Sequence, residues 1–121
     1  MARPVYRVTT FVPPDHLETL LEAIAQEGDL LRFGPYERWA WWSSPGVEQF
    51  RPLDEAKPRV GQPGRLERVP SVRLEFALPR EPDVLERALT AGLIPAHPWE
   101  VPVIFVEEAT SPLPEVDPPG R

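Results

Sequence analysis

The chain has 121 residues, enough for one hydrophobic core and too few for two. A net charge of −6 argues against nucleic-acid binding, and the absence of cysteine removes disulfides, thiolate catalysis and Cys-ligated zinc. No apolar run reaches the roughly 18 residues of a membrane span. The amino terminus carries no apolar signal core, so the cytoplasm is the expected compartment. Lys57 is the only lysine among the basic residues, asparagine is absent and prolines are frequent, a composition that fits a thermophile.

Val5 to Val12 reads as a strand, rich in β-branched and aromatic residues and ended by Pro13-Pro14. Asp15 is placed to start a helix, with Glu18 three residues on as the second half of a capping box. Leu17, Leu20, Leu21 and Ile24 give that helix one apolar face, and Gly28 is its expected stop. Tyr36 to Ser43 reads as a second strand bearing Trp39, Trp41 and Trp42. Ser44-Pro45-Gly46 then turns into a short hairpin arm, Val47 to Arg51. A loop from Pro52 to about Pro70 holds Gly61-Gln62-Pro63-Gly64. Val72, Leu74, Phe76 and Leu78 alternate with Arg73 and Glu75, the pattern of a half-buried strand. Pro82 opens a second helix whose buried face is Leu85, Ala88 and Leu89, closed by Gly92. Val101 to Val106 is the last strand.

This order predicts an α+β fold of the ferredoxin-like, split βαβ type: a mostly antiparallel sheet with two helices on one face. Residues 1–109 form the expected domain and 110–121 a Pro-rich tail that contributes little to it. The last strand is apolar on both faces, and Trp41 and Trp42 point to opposite faces. Monomers rarely leave such surface open, so a homo-oligomer is expected, with Arg73 and Glu75 counting against complete burial of the free face.

Chemistry concentrates in Ala96-His97-Pro98-Trp99-Glu100-Val101-Pro102, which sets an imidazole and a carboxylate on a proline-stiffened turn. His97 and Glu100 could ligate a divalent metal ion, the one cofactor the sequence suggests, but a structural site needs further ligands. The plainer use of His97 is as a brace, hydrogen-bonded within the turn. Gly61, Gln62 and Gly64 could let backbone approach an anionic ligand, with Arg51 and Arg65 neutralising it; equally they form a tight turn beside surface arginines. The tryptophans suit core or interface packing better than a stacking platform. Asp54, Glu55 and Glu67 show no acid–base spacing, and Ser43 and Ser44 no nucleophile context. If there is a site, His97 and Glu100 are expected at it, with the Gly61–Gly64 loop nearby. Catalytic residues are not assigned.

Phe11-Val12-Pro13, Gln49-Phe50-Arg51-Pro52, Gly61-Gln62-Pro63-Gly64 with Glu67, and the Ala96–Pro102 turn occur together, and in this order the chain resembles the YqfO-like domain. That domain occurs as an insert in proteins of the Ngg-one-interacting-factor-three family, also called GTP cyclohydrolase type-one-like. The match runs over about residues 5 to 108, with Trp99 where the family often has Tyr and Val101 where it often has Glu. The resemblance implies a fold related to the PII and CutA proteins and a trimer formed through the sheets. The larger family's two-metal motifs are absent from these residues. The resemblance thus implies a non-catalytic oligomeric module that binds a small ligand, a divalent metal ion or a protein partner. The alternative is a metal-assisted enzyme with its site at a subunit boundary around His97 and Glu100.

Overall fold

A computed structural model describes residues 2–112. Its elements are β1 (Arg3–Val12), α1 (Leu17–Glu27), β2 (Ala40–Trp42), β3 (Gly46–Phe50), β4 (Glu67–Pro79), α2 (Pro82–Arg87) and β5 (Ile104–Ser111). Helical backbone continues past α2 through a π-helical stretch, Ala88–Leu93, and a last α-turn, Ile94–Ala96. Gly92 therefore lies inside the helical run instead of closing it. All strand pairs are antiparallel, in the order β2-β4-β1-β5 with β3 also beside β4. The expected α+β architecture, ferredoxin-like with both helices on one face, is the one observed.

Alternation on β1 and β4 builds the core. Val8 and Val12 face Phe76 and Val72 across the pair, with Thr10 opposite Leu74, and all lie on the helix side. Leu17, Leu20 and Ile24 of α1 complete this layer with Ala88 and Leu93 of the second helical run. Phe76, Leu20, Ile24 and Leu93 are fully buried. Burying side chains of this size contributes about 1.5–3 kcal/mol each, which offsets the backbone entropy lost on folding.

Several local expectations give way to better-satisfied alternatives. The capping box does not form: Pro14–His16 make a 3₁₀ turn, α1 begins at Leu17, and no side chain caps either segment. Asp15 instead bonds the His16 ring, Oδ1 to Nδ1 at 3.1 Å. β3 does not fold back on β2 as a hairpin arm. Both strands lie along β4 in one line, β2 opposite Phe76 to Leu74 and β3 opposite Ser71 to Glu67. Ser43-Ser44-Pro45 is the interruption between them. There Ser43 N–H donates to Arg73 C=O at 3.0 Å and Ser43 Oγ accepts Arg73 N–H at 2.9 Å, so the chain stays attached to β4 through the break.

β5 starts at Ile104, three residues later than expected, because Pro102 has no N–H to give a ladder. Val103 C=O accepts Thr10 Oγ1–H at 2.8 Å instead. The strand then runs through Thr110 and Ser111, opposite Pro4 and Arg3. The remainder of the expected tail, from Leu113, lies outside the described residues. The sheet face away from the helices carries Arg7, Thr9 and Phe11 on β1 and Arg73 and Glu75 on β4. Trp41 pairs with Glu75 and Phe105 with Thr9, so an aromatic ring flanks this polar middle on either side. Leu31, bonded through its N–H to Ala77 C=O, covers one end of the face with Phe33.

Candidate ligand-binding site

The turn after the second helical run returns the chain across the end of β1. His97 is 6% exposed. Its Nδ1 accepts the Trp99 N–H at 3.0 Å, which puts the ring proton on Nε2, and Nε2–H donates to Phe11 C=O at 2.6 Å. Both ring nitrogens are thereby spent on backbone. Burial pushes the imidazole below its ordinary pKa of 6.5, against the raising effects of the Phe11 carbonyl and the Glu48 charge, so the ring is neutral at pH 7. His16 acts in the same direction as burial. His97 thus fixes β1 to the turn and sets the backbone of Trp99.

Trp99 is the hub of what lies outside this brace. Its Nε1–H donates to Glu48 Oε1 at 3.3 Å, and the same oxygen accepts Ser71 Oγ–H at 2.8 Å. Its ring meets Phe50 at a centroid distance of 5.9 Å and a tilt of 57°. Beside this pair opens a cleft of about 480 Å³, walled by the end of β3, residues 51–60 and the stretch 99–103. Phe50, Leu53, Pro58, Val60, Trp99 and Val103 give it an apolar lining, and Arg51, Glu55, Arg59 and Glu100 stand at its rim. A second cleft of about 540 Å³ shares Arg59, Val60 and Trp99 and reaches Asp15 and His16.

Of the residues expected at a site, the cleft gathers Arg51 and Glu100. Glu100 is tied down, its Oε1 accepting Lys57 N–H at 2.8 Å. His97 lies behind Trp99, ring centroids 6.2 Å apart, without lining the cleft. Gly61, Gln62 and Gly64 do not line it either. Gly61 and Gly64 take φ of +91° and +83°, the left-handed backbone of a tight turn, with Gly64 N–H on Pro52 C=O at 2.8 Å. Among the described residues no three His, Asp or Glu side chains converge as a metal-ligand set. Phe50, Arg59 and Val60 line the cleft without having been singled out as site residues. The signal available for Phe50 was its place in the Gln49-Phe50-Arg51-Pro52 motif; Arg59 and Val60 sit in a loop with no periodicity to read.

Sheet order and helix placement define a CutA-like α+β fold. CutA from Xylella fastidiosa superposes with a TM-score of 0.64 at 16% identity, over 90% of this chain and 86% of that one, a likeness of fold alone. A Bacillus cereus protein related to NIF3 superposes with a TM-score of 0.70 at 28% identity, over 90% of this chain and 26% of that one. In sequence, the GTP cyclohydrolase 1 type 2 homolog of Bacillus subtilis (strain 168) is 36% identical over 97 residues, 80% of this chain and 25% of the relative. The Staphylococcus aureus protein of the same name is 34% identical over 104 residues, 84% of this chain and 27% of the relative. No family model matches the chain. The chain is thus similar to one segment of the NIF3-related, or GTP cyclohydrolase 1 type 2 homolog, proteins, the segment that the YqfO-like resemblance describes, and its fold is CutA-like. It spans about a quarter of the length of the curated relatives it matches. Among the described residues no helix is long and apolar enough to cross a membrane.

Proposed function

We propose that this domain is a non-catalytic, oligomeric binding module whose small ligand enters the cleft beside Trp99 and Phe50. The observation that carries this reading is the division of labour in the Ala96–Pro102 turn. His97 is consumed as a brace, while the residues that follow it line an apolar pocket of about 480 Å³, within the ordinary range for small-molecule sites. A metal at His97 would have to displace either the Phe11 carbonyl or the Trp99 N–H from the ring. Of the residues marked out in the sequence, Arg51 and Glu100 are the ones that face a ligand in this reading, and the Gly61–Gly64 turn shapes the loop from behind.

The assembly we propose is a homotrimer, the form the family resemblance implies, joined through the open sheet face. Trp41 is 42% and Phe105 58% exposed there. Arg73 stacks over Trp41 at 4.9 Å, and Arg7 bonds Glu107 at 3.0 Å beside Glu75. The polar middle of the face is therefore internally paired, which lowers the cost of covering it. The test of the module is an NMR titration with small organic acids, amines and neutral aromatics. Shifts clustered at Phe50, Trp99 and Val103 support the cleft; shifts confined to the sheet face, or none from any compound, sink it.

A further inference from the structure

We infer that the ligand of this cleft is an amphipathic anion: a flat apolar body carrying a carboxylate, sulfonate or phosphate group. The inference rests on the cleft being the ligand site. Its walls offer surface and few hydrogen bonds. Trp99 has spent both of its donors, the indole N–H on Glu48 and the backbone N–H on His97. Pro58, Val60 and Val103 present only carbon side chains. The body of the ligand is held by contact with these groups and the Trp99–Phe50 pair.

The charges at the rim divide into committed and uncommitted. Glu48 receives two hydrogen bonds, from Trp99 and Ser71, and Glu100 receives one from Lys57. Arg51 and Arg59 have no hydrogen-bonding, ionic or ring partner among the described residues. Elsewhere Arg7, Arg38 and Arg80 form ion pairs, and Arg68 and Arg87 bond a side chain or a carbonyl, while Arg32 and Arg65, which do not line the cleft, also have side chains without a partner among the described residues. One unpaired surface arginine means little. Two at the mouth of one apolar pocket supply planar, fork-shaped donors that match an oxyanion. Glu55 also stands at the rim, uncommitted, which keeps the affinity modest and sensitive to salt.

The experiment is a fluorescence titration of the full chain with 8-anilinonaphthalene-1-sulfonate, its neutral parent N-phenyl-1-naphthylamine, and inorganic sulfate as competitor. The sulfonate is expected to bind saturably at one site per chain and more tightly than the neutral parent. Arg51→Gln with Arg59→Gln should weaken the sulfonate about tenfold or more, a change of about 1.4 kcal/mol, and leave the neutral parent unchanged. Sulfate alone should compete only at far higher concentration. If the neutral parent binds as tightly as the sulfonate, or the arginine variant binds both dyes like the parent chain, the anion assignment is overturned while the cleft stands. Occluding the cleft with Ala56→Trp, or with Val101→Trp should the first not fold, separates the two failures. Loss of both dyes supports the cleft. Undiminished binding of both places them elsewhere and overturns the cleft itself together with its ligand class.

Discussion

Replacing His97 with alanine strips two partners at once, the Phe11 carbonyl and the Trp99 N–H, both beside the core. The cost of leaving such groups unpaired is about 1–3 kcal/mol, to be read from urea unfolding. A variant as stable as the parent would show that the ring braces nothing. The same histidine gives stability a pH dependence of known sign. Its folded pKa lies below the unfolded 6.5, so protons favour the unfolded chain. Its contribution is complete above about pH 6.5 and declines as the pH falls from there toward the folded pKa. His97→Gln should remove that component from the stability–pH curve. The two turn glycines provide a matched pair. Gly61 and Gly64 both have positive φ, but a Cβ at Gly61 would lie 2.6 Å from Glu67 Cγ, while one at Gly64 would meet nothing within 4 Å. Alanine should cost about 1 kcal/mol at Gly64, from backbone strain alone, and more at Gly61, where Glu67 must also move.

At the scale of elements, β4 binds the fold together: β1 lies along one edge of it, and β2 and β3 share the other. Phe76 sits at its centre, fully buried, opposite Val8 on one side and Ala40 on the other. Phe76→Ala should cost about 3–5 kcal/mol, and a loss under 1 kcal/mol would mean that the core closes over the gap. β4 and α1 were legible in the sequence because each buries one face, so polarity alternates with the period of the element. β2 and β3 were legible as short strands at Tyr36–Ser43 and Val47–Arg51, but their placement in one line along β4 was not, because their side chains are largely exposed and their order is set by hydrogen bonds to β4 that leave no trace in polarity. The last strand was misplaced for a related reason. Val101 and Val103 look like strand residues, yet they line a cleft, and apolar character records burial of some kind without saying against what. The site was half legible. The turn that carries it stands out by its chemistry, but the exchange of roles, with His97 turned inward and Trp99 outward, depends on a carbonyl 86 residues away.

For the whole molecule, the open face is where the proposed assembly would form. Trp41 and Phe105 stand on either side of a polar stripe whose charges are already paired. Phe105→Glu should lower the mass seen by light scattering without changing the circular dichroism of the fold, since Phe105 is 58% exposed in one chain. A parent chain that stays monomeric over a wide concentration range would end the trimer reading. The cleft and this face lie close together, because Phe11 belongs to the face while its carbonyl holds His97. Assembly and ligand binding should therefore be coupled, and the apparent affinity for a ligand should change with protein concentration across the association range.

The π-helical stretch from Ala88 to Leu93 holds one residue more than an α-helix would need for the same rise. That surplus residue acts as an index. Everything after it is turned by about 100° from where an uninterrupted helix would point it, and His97 is the first side chain past the helical run to use the difference. α1 packs closely against this widened turn at Gly92, where an added Cβ would stand 3.3 Å from Ala23 C=O. A lineage could thus retune or silence the cleft by gaining or losing a single codon near Thr90, with every residue that lines the pocket left as it was.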